Sequence, residues 1–224
     1  FEEYFDSRVS CTPCPENSSS EPGASVCTCN DGFINNGGTT TTTDACVAGY
    51  KFFMTTTPDT TEFSFDIYAA GTFYIDWGDG KTETIAYAKP THHFLRHTYT
   101  SAKSYTIKLG GKATGYGNDL VIRFYRNKKL AKLDGSLGAI FSTLSDGTQP
   151  RFGNTYDGTP DQVIGTFTDC INLTQIPETL FTTFDTKGSI IEGINGAPIP
   201  YMFAYTFSGC SGLTSIPDRL FAGL

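Results

Sequence analysis

Two stretches near the C-terminal end carry the same apolar skeleton at a fixed spacing. Residues 166–181 read TFTDCINLTQIPETLF and residues 206–221 read TFSGCSGLTSIPDRLF. Phe167, Cys170, Leu173, Thr174, Ile176, Pro177, Leu180 and Phe181 recur as Phe207, Cys210, Leu213, Thr214, Ile216, Pro217, Leu220 and Phe221. One such unit cannot bury its own apolar side chains, so neighbouring units must stack and share a core. Stacked arrays present surface to partners more often than they perform chemistry.

A weaker copy lies upstream, where Asn127-x-x-Leu130-x-x-Leu133 leads into GSLGAIF at 135–141. A degenerate first unit fits a capping role, because one of its sides meets no neighbouring repeat. In the full units, Pro177-Glu178 and Pro217-Asp218 predict the start of a short helix after the extended run. The inserts at 142–165 and 182–205 are expected to form loops on one face. They carry Phe184, Tyr201, Phe203 and Tyr205, either as binding aromatics or as core. Leu220-Phe221-Ala222-Gly223-Leu224 follows directly on the second unit, so a longer array is expected.

Five of the seven Cys fall between positions 11 and 46: Cys11, Cys14, Cys27, Cys29 and Cys46. Few apolar residues accompany them, so covalent staples must stand in for a core. Four thiolates on zinc are the alternative, but Cys27-x-Cys29 is a tighter pair than structural zinc sites use. Dense cysteine in a short Gly/Ser/Thr-rich stretch points to disulfides and an oxidising compartment. Asn17-Ser18-Ser19 and Asn172-Leu173-Thr174 match the N-glycosylation sequon, and Thr39 to Thr43 reads as a solvated loop or an O-glycan site.

Between these segments the period is two. Phe63, Phe65 and Ile67 alternate with Ser64 and Asp66, and Tyr105, Ile107 and Leu109 alternate with Thr106 and Lys108. Phe73-Tyr74-Ile75 runs into Asp76-Trp77-Gly78-Asp79-Gly80, a tight turn, and Thr82 to Tyr87 alternates again. Leu120, Ile122 and Phe124 read as a further strand. Short strands with Gly turns at this spacing predict a β-sandwich. Asp76 and Asp79 could serve calcium, yet two carboxylates fall short of the six to eight oxygens it takes. His92, His93 and His97 lie on loop and strand, where their spacing has no metal-binding meaning. No nucleophile stands in a triad context, so no catalytic residue is assigned.

Three resemblances follow from these residues. The cysteine segment resembles epidermal-growth-factor and growth-factor-receptor-like modules, which implies pairing Cys14 with Cys27 and Cys29 with Cys46 and leaves Cys11 over. WGDG, then His97-Thr98-Tyr99, then SYTIKL resembles the polycystic-kidney-disease (PKD) type immunoglobulin-like domain. There the Trp fills the core, the Asp and Gly residues build the turn, and the His and Tyr lock the hairpin. F-x-x-C-x-x-L-x-x-I-P resembles leucine-rich repeats of the BspA or Treponema type, whose Cys slot satisfies backbone groups in the turn. The expected architecture is mainly β. It comprises a disulfide-rich module at 1–49, a PKD/Ig-like sandwich at 50–115 and a leucine-rich repeat solenoid at 116–224, with a strand and a short helix per repeat.

A net charge of −7 argues against nucleic acid and anionic membranes, which require a cationic footprint. No apolar run is long enough to span a bilayer. The expectation is an extracellular or cell-surface, non-enzymatic protein without cofactor or metal. Its repeats would bind protein or glycan ligands on host or neighbouring cells. Self-association is the structural alternative, with Phe1-Glu2-Glu3-Tyr4-Phe5 as a donated strand. An accessory role beside a secreted hydrolase is another.

Overall fold

Alternation in the sequence becomes strand pairing in the structure. The computed structural model describes residues 14, 18–21, 27–29, 33–35, 46–153, 164–185 and 187–224. Cys11, Asn17, Thr39 to Thr43 and Phe1 to Phe5 lie outside the described residues. The chain divides into two units, Phe1–Gly49 and Tyr50–Leu224.

In the first unit β1 (Ser18–Ser19) pairs antiparallel with β2 (Thr28–Cys29), and β3 (Phe33–Asn35) with β4 (Cys46–Ala48). Disulfides join Cys14 to Cys27 and Cys29 to Cys46. They close loops of 13 and 17 residues. Each such closure stabilises by about 3 kcal/mol through the unfolded chain. That suits strands of two and three residues, which cannot hold a sheet alone.

The second unit is built on β5 (Tyr50–Thr56), β6 (Thr60–Ile67), β7 (Ala69–Asp76), β8 (Thr82–Tyr87), β9 (His93–Lys103), β10 (Thr106–Tyr116), β11 (Ile122–Arg123) and β12 (Leu130–Gly135). One antiparallel sheet has the order β12-β5-β10-β7-β8, and a second has β11-β6-β9. Phe52, Met54, Phe73, Ile75, Ile107 and Leu109 from the first sheet share one core with Phe63, Phe65, Ile67 and Leu95 from the second. The strand expected over Leu120–Phe124 shortens to Ile122–Arg123, because Phe124 turns inward against Phe65 and Phe167. Residues 116–224 also supply β12 to the first sheet, antiparallel to β5.

Beyond β11 the chain enters the repeated units, whose hydrogen bonds coincide slot for slot. The amide of Asn127, Cys170 or Cys210 donates to the carbonyl of Phe124, Phe167 or Phe207 at 2.9, 3.1 and 3.1 Å. The amide of Leu130, Leu173 or Leu213 then donates to the carbonyl of that Asn or Cys at 3.4, 3.0 and 3.0 Å. Within the first of these turns Arg126 and Asp169 adopt left-handed φ of 56° and 60°, and Gly209 takes 72°. At 209 a side chain would also collide with Asp169, its Cβ falling 2.1 Å from Oδ1. Ring stacking joins the units: Phe65 to Phe124 at 5.4 Å, Phe124 to Phe167 at 5.2 Å and Phe167 to Phe207 at 5.5 Å between centroids.

The first unit forms its strand as β12, but in the two full units the expected strand and short helix do not form. No helix occurs among the described residues, and the run before Pro177 contributes only a bridge between Lys132 and Gln175. Pro177–Leu180 and Pro217–Leu220 are single turns, closed by Leu amides on the Pro carbonyls at 3.3 and 3.1 Å. One turn cannot offset the cost of helix nucleation. After Pro177 the insert instead forms a hairpin of β13 (Thr182–Phe184) and β14 (Ile190–Gly193).

Phe167 is fully buried between two rings. Phe167→Ala is therefore expected to destabilise the protein by about 3–5 kcal/mol. Phe94→Ala, at a side chain 59% exposed, is expected to cost under about 0.5 kcal/mol. Urea unfolding of the two variants checks the contrast.

Candidate functional site

The WGDG turn closes the hairpin between β7 and β8. Trp77 is fully buried, and its Nε1 donates to Glu83 Oε1 at 2.8 Å. Asp76 accepts from the Gly78 amide at 2.8 Å and from Lys108 Nζ at 2.9 Å. Asp79 accepts from the Lys81 amide at 3.1 Å and pairs with His97 Nε2 at 2.9 Å. The His97 ring lies flat on Trp77 at 4.9 Å, and Tyr99 Oη donates to the Trp77 carbonyl at 2.9 Å. Gly78 has φ 80°, and a Cβ there would sit 2.5 Å from the Thr106 carbonyl. Gly80 takes φ 90° in open space. Every polar group of Asp76, Trp77, Asp79, His97 and Tyr99 described here is thus engaged in holding the turn.

Burial tends to raise the Asp79 carboxyl, but hydrogen bonds from His97 and the Lys81 amide outweigh it and hold the group below its ordinary value. Burial pushes the Tyr99 phenol well above its ordinary range, which keeps it a donor. The three histidines have separate partners. His92 meets Asp66 at 2.8 Å, His93 meets Thr91 Oγ1 at 3.1 Å, and His97 meets Asp79. No group of three potential metal ligands occurs among the described residues.

The two repeat cysteines are free and buried. Cys170 Sγ donates to the Phe124 carbonyl at 3.1 Å, and Cys210 Sγ to the Phe167 carbonyl at 2.9 Å. Asn127 occupies the same slot in the first unit, where its Nδ2 donates to the Ser64 carbonyl on β6 at 2.9 Å. Each slot side chain therefore satisfies a backbone oxygen of the layer before it, and β6 acts as the layer before the first unit. Burial pushes the Cys170 thiol up to about 12 and the Cys210 thiol up to about 11, so both remain protonated donors.

Of the other repeat positions, Phe167, Leu173, Ile176 and Leu180 are buried. Pro177 is half-buried. In the last unit Leu220 is buried, and Phe207, Leu213 and Pro217 are half-buried. Ile216 is 48% exposed, since no described residue packs over it. Phe203 stacks on Phe152, and Phe184 lies 4.1 Å beneath the Arg219 guanidinium. Tyr201 and Tyr205 are the exposed pair from the insert, 56% and 47% accessible, with left-handed φ of 62° and 60°. Non-glycine residues in that region cost about 1 kcal/mol or more.

Overall acidity conceals one local feature. Arg123, Arg126, Lys128, Lys129 and Lys132 are five of the chain's 16 cationic residues, within ten positions. A sliding count of charge along RFYRNKKLAK would have found them. The structure places Arg123, Arg126, Lys128 and Lys129 on the lining of a groove of about 320 Å³ over β6, together with Glu62, Asp66 and Phe94. A second concavity, of about 400 Å³, shares Arg126 and Lys128 and adds Asp169 and Ile171. Arg123 is paired with Asp66 at 2.9 Å and Lys129 with Asp59 at 2.6 Å. Arg126 reaches Asp169 only at 3.3 Å and is 66% exposed, while Lys128 and Lys132 form no ion pair among the described residues.

No protein-family model, curated protein or solved structure matches the chain.

Two outcomes follow for the site. Asp79 titrates below its ordinary 3.8 in the fold. Its ionised form therefore stabilises above that value and loses the contribution as pH falls through the lowered one. Asp79→Asn should cost stability at pH 7, and the gap to wild type should narrow below pH 3.8, as read by urea midpoints across pH. Iodoacetamide should leave Cys170 and Cys210 unmodified in the native protein and label both in denaturant, as read by peptide mass spectrometry.

Proposed function

We propose that the chain is a non-enzymatic, extracellular interaction protein that adheres to protein or glycan ligands on host or neighbouring cells. It is a surface protein of the BspA-like kind. The cysteine-rich module and PKD-like sandwich serve as a spacer, and leucine-rich repeats form a contact surface stacked on the sandwich. The observation that carries this reading is the slot-for-slot register of three successive units. A register held by buried rings and backbone bonds leaves the lateral side chains free to vary with the ligand.

Two disulfides in the first unit favour an oxidising compartment. No helix among the described residues is long and apolar enough to cross a membrane. The non-enzymatic reading draws support from the WGDG turn, where the carboxylates and imidazole that could do chemistry are spent on each other and on backbone amides. Tyr201 and Tyr205 support a contact role for the insert, because exposed aromatics held in strained backbone make rigid anchors.

The test is a screen of the immobilised chain against extracellular-matrix proteins and a glycan array. Saturable binding at about 10 µM or tighter, weakened about tenfold or more by Tyr201→Ala with Tyr205→Ala, is the expected result. Absence of saturable binding across both panels rejects adhesion.

A further inference from the structure

A cavity of about 360 Å³ opens where the hairpin β13–β14 meets the ends of β5 and β12. It shares no residue with the groove over β6, and all of its lining belongs to the Tyr50–Leu224 unit. Lys51 Nζ donates to Glu192 Oε2 at 2.9 Å and to the Ala139 carbonyl at 3.3 Å. The third ammonium hydrogen and Glu192 Oε1 are left without a partner among the described residues. The two charges cancel, and no other charged side chain lines the cavity. Ser136 in its wall is 3% exposed. Its Oγ accepts from the Ala139 amide at 3.0 Å, and its O–H has no acceptor among the described residues. Thr183 also lines the cavity, and its Oγ1 is buried with no hydrogen-bond partner among the described residues. A buried hydroxyl left unpaired in a native structure calls for an explanation. Apolar surface is present as well. Tyr50 and Phe184 are half-buried, and each carries a cation over its ring, Lys108 Nζ at 5.5 Å and the Arg219 guanidinium at 4.1 Å. One face of each ring is taken in this way and the other remains for a ligand. Ile191, 58% exposed, adds an aliphatic side chain.

Such a lining selects among ligands. An ion finds no uncompensated charge in it. A wholly apolar molecule would strip water from the Lys51–Glu192 pair and from the Ser136 hydroxyl without replacing its hydrogen bonds. What fits is neutral, carries groups that both donate and accept, and has an apolar face. A pyranose combines these on one ring, with hydroxyls around its rim and C–H groups across its face. We propose that this cavity binds a neutral saccharide. Its volume stands at the small end of the range for small-molecule sites, about 300–1,000 Å³, which limits the ligand to about one or two sugar rings. Sugar hydroxyls bond to Glu192 Oε1, Lys51 Nζ and Ser136 Oγ, and the C–H face lies on the rings of Tyr50 and Phe184. A turn about the Cα–Cβ bond of Thr183 gives its hydroxyl a partner on the same ligand. The site is separate from Tyr201 and Tyr205, so it stands whether or not the chain adheres through its repeats.

Saturation-transfer NMR titrations of the full chain test it. The neutral probes are the methyl glycosides of glucose, galactose, mannose and N-acetylglucosamine, with maltose, cellobiose and lactose; the methyl glycoside of N-acetylneuraminic acid is the anionic probe. Saturable binding of at least one neutral probe at about 0.1–5 mM is expected. Glu192→Ala and Tyr50→Ala are each expected to weaken it about fivefold or more, and Tyr201→Ala with Tyr205→Ala to leave it unchanged. Circular dichroism confirms the fold of each variant, and one that fails to fold is replaced by Glu192→Gln or Tyr50→Leu. Absence of saturable binding by every neutral probe overturns the inference. So does binding that either cavity variant leaves intact, or that falls with the Tyr201 and Tyr205 substitutions. Tighter binding of the anionic probe than of any neutral one overturns it as well.

Discussion

A single column of aromatic rings runs from the sandwich into the repeats. Phe65 on β6 lies against Phe124, Phe124 against Phe167 and Phe167 against Phe207, with neighbouring centroids 5.2–5.5 Å apart. The spacing between layers is set by ring contact, and everything else in the array must accommodate it. The slot side chains Asn127, Cys170 and Cys210 are the polar counterpart of that column. Each reaches back one layer to a carbonyl, and those of Phe124 and Phe167 thereby accept a second donor beside the amide that closes their own turn. A hydrogen bond of this kind contributes about 0.5–1.5 kcal/mol only at bonding distance, so a fixed interlayer distance and a donor of fixed length depend on each other.

Because β6 takes the place of a preceding repeat, the sandwich and the array share one core. Phe124 illustrates the point, touching Phe52 and Phe63 on one side and Phe167 on the other. β12 adds to it by entering the sandwich sheet from within the first repeat. A contact surface mounted this way has little freedom to swing against its support, which suits the recognition role proposed for it.

Legibility in the sequence differed by feature, for physical reasons. Phe63, Phe65, Ile67, Ile107 and Leu109 were readable because a half-buried strand forces a period of two. The WGDG residues were readable because a tight turn admits few side chains. The helix expected after Pro177 was misread, since Pro followed by an acidic residue marks only a starting preference and four residues cannot sustain a helix. The basic groove was hidden by net charge, a sum that discards position. The partition of Tyr201 and Tyr205 to the surface and of Phe203 to a half-buried place against the core had no local signal at all, because all three stand in the same insert.

The sequence by itself determined which residues must be equivalent. Phe167 and Phe207, Cys170 and Cys210, and Leu173 and Leu213 recur because stacked layers impose identical demands on identical slots. It determined the strand faces as well, through the alternation that burial on one side of a sheet requires. Tertiary structure alone decided what the first layer stacks upon, since the contact between Phe65 and Phe124 joins residues far apart in the chain without any shared motif. It also decided where the cations of residues 123–132 go. Their paired or unpaired state depends on whether Asp66, Asp59 and Asp169 arrive beside them, and only the folded chain brings those carboxylates within reach.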